Sequence, residues 1–264
     1  MRFDRSLVCL LLCLTLLPAA AAQEKDALKE RAERARQSAE KTPAGNRPRF
    51  LTFEVLPGNV GRLSLLSFGD EKIVGEFESV YPDILKTDAL VIDIRGNGGG
   101  NGSNGFDILA HFTDRPFKTP AWKTREYLPT FRAWGRREGW HAGPAEEVKP
   151  KGGRHYSKPV VLLTSAKTFS AAEDFAVAFD YMRRGKIVGE PTGGSTGQPL
   201  FFDLPGGGRA RVCTKRDTYP DGREFVGGGV QPHVPAHPTV ADFRAGRDTV
   251  LEVALAELRK SPGR

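Results

Sequence analysis

The sequence predicts a mostly parallel α/β layer fold with a β-hairpin beside it, and three observations carry that prediction. Apolar runs alternate with helix-period segments along the chain, the order that builds a parallel sheet flanked by helices. Two of the runs, "ALVIDI" and "KPVVLLTS", are continuous rather than alternating, as expected of strands buried on both faces. The segments "LFFDL", "PGGG" and "RARVCTK" read as two strands around a tight turn.

Taken in order, the chain of 264 residues begins with a short basic stretch, "MRFDR". An apolar run, "SLVCLLLCLTLL", and the small-residue stretch "PAAAAQ" follow. The run is too short and too early for a membrane span, and the pattern is that of a secretory signal peptide, residues 1–22, cleaved after Ala22. Residues 23–49 are almost wholly charged or small, with Leu28 as the only large apolar side chain. Such a segment has no stripe to bury, and it reads as a charged tether or exposed helix. From residue 50 to about 260 the pattern is that of one folded domain. "FLTFEVL" and "VGRLSLLSF" flank the turn "PGN". "DEKIVGEFESVYPDILK" and "FDILAHFTD" carry apolar residues at helical spacing. Residues 116–157 hold all three tryptophans and many Pro, Gly, Arg and Lys without a clear period. Their length points to a surface excursion or lid over a cleft, or to an insertion that only packs. "SAAEDFAVAFDYMRRG" reads as a helix stopped at Gly185, "KIVGE" as a short strand, and "DTVLEVALAELRK" as a closing amphipathic helix.

The net charge of +7 falls by one when Arg2, Arg5 and Asp4 leave with the signal. The basic residues are scattered and not interleaved with aromatics, so the pattern argues against a nucleic-acid partner. It suits a solvated surface with some attraction for anionic surfaces or acidic substrates. Cys9 and Cys13 lie in the signal, which leaves Cys213 alone, without an internal disulfide. Its alternating segment predicts a small residue packed in the core. Signal cleavage leaves no transmembrane segment, so the expected location is the periplasm or the extracellular space.

Two turns fall at the carboxyl ends of the apolar strands, where ligands sit in α/β folds. The first is "RGNGGGNGSNG" and the second is "SAKTFSAAEDF". Ser170 stands at the join of strand turn and helix. A nucleophilic serine needs a fixed position, donors facing the developing oxyanion, and a base. The helix start supplies free N–H groups, and glycines permit the dihedrals that aim another N–H into a cleft. The competing reading is a capping box, Ser170 with Glu173 three residues on. Nucleotide binding is disfavoured, because Asn101 stands where the last glycine of G-x-G-x-x-G would fall. His233 and His237 are separated by prolines that exclude a shared helix face, so no metal site is read there. His111 lies on the apolar face of a helix pattern and reads as packing. No cofactor is called for.

Four blocks in this order, "ALVIDIRGNGGG", "VVLLTSAKTFSAAEDFAVAF", "KIVGEPTGGSTGQ" and "DGREFVGGGVQPHV", resemble the tail-specific, carboxyl-terminal processing serine peptidases. The nearest branch holds the tricorn core protease and the repeats of interphotoreceptor retinoid-binding protein. The resemblance implies a layered fold related to ClpP and crotonase, and serine-dependent cleavage of peptides or of unfolded protein C-termini. It implies Ser170 as nucleophile and the N–H of Ala171 with Gly98 or Gly99 as oxyanion hole. Glu224 matches a downstream acid that orients the base.

The resemblance breaks at that base. One branch carries a lysine where this chain has Ser195, 25 residues after Ser170, and Lys186 does not replace it. The other branch uses an upstream histidine, and no histidine precedes His111. Two readings follow. One is a peptidase whose base comes from His141, His155, Glu173 or another chain. The other is a member of the same fold that binds a peptide or apolar ligand without cleaving it.

Overall fold

The computed structural model describes residues 50–260. The signal peptide and charged tether expected over residues 1–49 lie outside the described residues. β1 (Leu51–Leu56) and β2 (Val60–Leu65) form an antiparallel hairpin with Leu56 opposite Val60. Its turn is made by Gly58 and Asn59 at positive φ, a region that glycine and asparagine tolerate better than other residues. α1 (Lys72–Ile84) buries Ile73, Phe77, Tyr81 and Ile84, one face of a helical period.

β3 (Ala89–Asp93) is buried at every position, as its continuous apolar run predicted. α2 (Gly102–Leu109) follows and is continued by a 3₁₀ turn over Ala110–Phe112. This helix starts earlier than the apolar pattern suggested. Asn101 Oδ1 accepts the Ser103 N–H at 3.0 Å and caps it inside the glycine turn.

The segment over residues 116–157 is an ordered insertion of short elements. They are β4 (Phe117–Lys118), β5 (Ala121–Arg125), α3 (Pro129–Ala133), β6 (Trp140–Gly143) and β7 (Glu147–Val148). Strands of two to five residues carry too little sequence to show a period.

The main sheet resumes with β8 (Val160–Thr164), then α4 (Ala171–Tyr181) and β9 (Lys186–Gly189). β10 (Pro199–Asp203) and β11 (Arg209–Cys213) form the expected hairpin as a separate two-stranded sheet. Cys213 is exposed there, which corrects its reading as a core residue. A hairpin that packs on no second layer leaves its alternation without a buried side. β12 (Arg216–Thr218) joins β5 and β6 in a three-stranded sheet. β13 (Val234–Pro235) is the edge strand of the main sheet, and α5 (Val240–Arg244) and α6 (Thr249–Lys260) close the described chain.

The main sheet has the order β1-β2-β3-β8-β9-β13, and every pairing after the first is parallel. Alternation along its strands divides the core in two. Leu90, Ile92, Leu162 and Ile187 pack with Phe77, Phe175 and Phe179 on one face. Val91, Val161, Leu163 and Val188 pack with Val250, Ala254 and Leu258 of α6 on the other. His111 is buried with ring centroids 5.0 Å from Phe77 and 4.6 Å from Tyr81, a packing role, and burial holds its pKa below the ordinary value. No helix among the described residues is long and apolar enough to cross a membrane.

Phe175 sits fully buried under the glycine turn, its ring 5.7 Å from Phe68. Truncating it removes the contact that backs α4 against that turn. Phe175→Ala is expected to cost about 3–5 kcal/mol, read as a fall of roughly 10 °C in the thermal unfolding midpoint.

Candidate active site

The two turns singled out in the sequence meet at the carboxyl ends of β3 and β8. Asn97, fully buried, joins them. Its side-chain amide donates to the Leu65 carbonyl at 3.1 Å, its Oδ1 accepts the Gly99 N–H at 2.9 Å, and its carbonyl accepts the Phe169 N–H at 3.0 Å. Thr168 Oγ1 donates to the Ile94 carbonyl at 2.9 Å, and Ser165 Oγ to the Arg95 carbonyl at 2.7 Å. The serine turn is thereby bolted to the glycine turn on both sides.

Ser170 has φ 55° and ψ −126°. This is sparsely populated backbone for an L-residue, at a cost on the order of 1–3 kcal/mol. It persists because its surroundings impose it. Ser170 and Glu173 form the capping box that the sequence suggested, with Glu173 Oε2 accepting the Ser170 N–H at 3.1 Å. Glu173 does more than cap. Its Oε1 accepts from Thr192 Oγ1 and from the Gly194 N–H, both at 2.6 Å, and its Oε2 accepts the Ser195 N–H at 2.9 Å. The Ser170 N–H also reaches the Ser195 carbonyl at 3.1 Å. Four donors on a fully buried carboxylate leave it no lone pair for the Ser170 hydroxyl, so Glu173 is a brace rather than a base.

Backbone N–H groups near Ser170 without a protein acceptor are the candidate donors. Ala171 is the first residue of α4, and among the described residues its N–H has no protein acceptor. In the glycine run, among the described residues, Gly98 and Gly100 keep N–H groups without a protein acceptor, and of the two Gly100 lines the cleft. The Gly99 N–H is taken by Asn97, and Gly98 does not line the cleft. Gly100 forms a parallel bridge with Phe68 through the Gly99 carbonyl and the Asn101 N–H. In that pattern the Gly100 N–H turns to the opposite edge, and it too has no protein acceptor. Gly99 provides the closeness. A Cβ on it would lie 2.7 Å from Ser170 Cβ and 2.9 Å from the Ala171 nitrogen, so only glycine lets the two turns touch.

Ser170, Ala171 and Gly100 line a cleft of about 650 Å³. Thr119, Pro120, Trp122, Pro144, Glu146 and Val148 of the insertion form part of its wall. Its charged groups are Asp107, Glu146, Asp174, Asp217 and Lys215. Lys215 Nζ pairs with Asp217 Oδ1 at 2.7 Å. Asp174 lies one helical turn beyond Ser170 on α4. Burial, then the neighbouring Asp217 charge, pushes its carboxyl up to about 8.

The other sequence candidates are not brought to this cleft. Glu224 lies on the surface between Lys123 at 2.9 Å and Arg216, and these cations, Lys123 first, hold its carboxyl below the usual range. A partly exposed carboxylate locked by two cations does not orient a base beside Ser170. His141 stacks on Trp122 with centroids 5.6 Å apart and is not among the lining residues, and His155 lines a different cavity. His233 Nδ1 accepts the Ile187 N–H at 3.0 Å and its Nε2 faces Asp180 at 3.2 Å, a structural role. The position that carries lysine in one branch of the resembled family, Ser195, is held directly against Ser170. Asn97, Gly100, Asp174, Asp217 and Lys215 escaped the sequence reading. Asn97 and Gly100 lie in the glycine turn and Asp174 in the serine turn, but nothing in those letters marks their roles.

The fold is a mostly parallel α/β domain with a cleft at the carboxyl ends of its strands, and comparison with known proteins places it in a family. The model of peptidase family S41 matches residues 59–236, and the chain belongs to that family. It is similar to a protein of Chlamydia trachomatis, 24% identical over an alignment of 229 residues, with 66% of this chain and 37% of that protein covered. A candidate peptidase from Parabacteroides merdae superposes with a TM-score of 0.67 at 20% identity, covering 81% of this chain and 65% of its own. Mature CPAF gives 0.58 at 20% identity, and the photosystem II D1 C-terminal processing protease 0.51 at 24%. Each of these two matches covers 74% of this chain and 50% of the other. At these identities the structural likeness establishes the fold. The chain spans less than two thirds of the length of each of these relatives.

Two outcomes test the electrostatics. Glu173→Gln replaces a four-bond acceptor with a group that presents N–H to N–H, and it is expected to destabilise the domain by about 3 kcal/mol or more in denaturant titration. Asp174 titrates near 8 in the fold and near its ordinary 3.8 when unfolded. Between those values the folded state holds a proton that the unfolded state releases, so stability falls as pH rises from about 4 to 8. Asp174→Asn removes that loss. Its thermal midpoint relative to wild type is expected to climb over this window, by several degrees at pH 8.

Proposed function

We propose that this chain is an exported serine-type peptidase, with Ser170 as nucleophile and the Ala171 and Gly100 N–H groups as oxyanion donors. One observation carries the reading. A strained serine at a strand-to-helix turn borders a cleft beside two backbone donors that have no other acceptor. Strain held in place at a ligand cleft is a mark of function. In the reaction, Ser170 Oγ attacks the peptide carbonyl carbon and its proton passes to a base. The C–N bond then breaks as the leaving nitrogen takes up a proton. Water hydrolyses the acyl-serine and regenerates the hydroxyl. The oxyanion donors act on the charge that develops on the carbonyl oxygen.

Proton acceptance is the weak step, which makes impaired catalysis part of the proposal. Ser195 is no base, Glu173 is fully engaged, and Lys215 is salt-bridged to Asp217. The substrate class is peptides or the C-terminal segments of unfolded proteins, by analogy with the processing proteases of similar fold, and the location is the periplasm or extracellular space, from the signal-like N-terminus. The same residues favour a second reading, a cleft that binds a polypeptide without cleaving it.

A serine-reactive fluorophosphonate separates the two. Wild-type protein is expected to gain one adduct mass on Ser170 and Ser170→Ala none. Failure of the wild type to label, with saturable peptide binding retained, establishes the second reading instead. Placing a lysine at the position held against Ser170 supplies the missing base, so Ser195→Lys is expected to label on the order of 10²-fold faster than wild type, the range of general-base assistance.

A further inference from the structure

The cleft carries four acidic side chains, Asp107, Glu146, Asp174 and Asp217, against one lysine, Lys215. This acidity stands within a chain of net charge +7. Two of the four acids have a buried oxygen with no partner. Asp217 is 1% exposed, and while its Oδ1 pairs with Lys215, its Oδ2 has no partner. Asp174 Oδ1 is likewise buried without one. Buried acceptors of this kind are unfavourable until a donor reaches them.

The two groups come from different elements, α4 and β12, and line one cleft whose walls include Phe106 and Trp122. Among the described residues no three His, Cys, Asp or Glu side chains converge as metal ligands. Two open carboxylate oxygens beside aromatic walls suit a cation that brings its own N–H donors on an apolar stem. Lysine offers three such donors and arginine five in a planar fork. Asp174 sits one turn from Ser170 on the same helix, its N–H bonded to the Ser170 carbonyl at 3.2 Å, so a side chain held there belongs to a residue next to the scissile bond.

We propose that this cleft selects a polypeptide by a lysine or arginine side chain, bound between Asp174 and Asp217. The proposal deepens the peptidase reading and rests on it for the polypeptide nature of the ligand. The charges acting on Asp174 are Asp217 of β12, Lys215 just before it and Glu173 on its own helix, while Asp107 of α2 and Glu146 of the insertion line the same cleft. With its carboxyl pushed up to about 8, Asp174 gives up its proton as the cation arrives. Affinity for basic peptides therefore rises from pH 7 to 9, while affinity for neutral ones stays flat.

The test is fluorescence anisotropy with the full Ser170→Ala chain, which separates binding from cleavage. The probes are fluorescein-labelled heptapeptides of alanine and serine with one central lysine, arginine, norleucine or glutamate. Lysine and arginine peptides are expected to bind about tenfold or more tighter than norleucine. Asp174→Asn in the same background is expected to reduce the preference to within about twofold. Equal affinity for lysine and norleucine overturns the proposal. So does tighter binding of the glutamate peptide, binding of none of them, or a preference that survives both Asp174→Asn and Asp217→Asn. The lysine–norleucine comparison decides even where a variant fails to fold. A wild type that never labels with fluorophosphonate while the preference persists refutes the peptidase reading alone. Labelling without the preference refutes the basic-side-chain proposal alone.

Discussion

Glu173 is a fully buried carboxylate at the third position of a helix, with donors converging on it from Ser170, Thr192, Gly194 and Ser195. Burying a charge is costly unless every lone pair is met, and here the fold meets them with three backbone N–H groups and one hydroxyl. The compensation works in both directions. The carboxylate draws the loop over residues 192–195 onto the helix start, and the loop in turn holds the Ser170 backbone in a conformation it would not otherwise keep. Thr192 extends the chain of bonds by accepting the Val230 N–H at 2.7 Å. The loop after β9, the start of α4 and the segment before β13 are thus one unit. A residue spent on that task is lost to acid–base chemistry, which is why the acid nearest Ser170 in sequence is not its base.

The parallel sheet sets where this unit stands. β3 and β8 end side by side, so their two turns must meet, and Asn97 satisfies the backbone groups that such a meeting would otherwise bury unpaired. On the opposite face Arg95 reaches Asp93 and Asp248, both of its bonds to Asp248 being 2.7 Å, and ties the start of α6 to the end of β3. Burial works against the charge on Asp93, but Arg95 and Arg62 outweigh it and hold the carboxyl below its ordinary range. The glycine turn is clamped between these two networks, and the aim of the Gly100 N–H follows from that clamp.

Much of the fold was legible because its strands and helices are long enough to carry a period. The continuous runs ending at Asp93 and Thr164 and the helical spacing in α1, α4 and α6 all correspond to observed elements. The insertion was not legible, since its strands are too short, and Cys213 was misjudged because alternation shows that a strand has two faces without showing that either is covered. At the site, Ser170 and Ala171 stand out locally, as a helix start after an apolar strand. Gly98, Gly99 and Gly100 are indistinguishable as letters. They are separated only by Asn97, which takes the Gly99 N–H, and by Phe68, distant in sequence, which bridges Gly100. Glu224 is a related case: its register in the block leaves open which strand edge it occupies, and the structure pairs it with Lys123, 101 residues away.

The charge of the cleft was the least legible feature, and it carries the most chemical information. Composition describes a basic protein, while Asp107, Glu146, Asp174 and Asp217 come from four separate segments that only the tertiary fold assembles. The chain is basic as a whole, net +7, while the cleft is acidic, and charges on the surface and in the cleft act on different parts of a ligand. The surface field acts over a Debye length of about 8 Å and is weakened by salt. The buried carboxylates act at contact and are screened far less. A polypeptide recognised here would therefore be chosen by one side chain at the cleft rather than by its overall charge. The low dielectric that makes an unpaired Asp174 costly also makes its pairing selective.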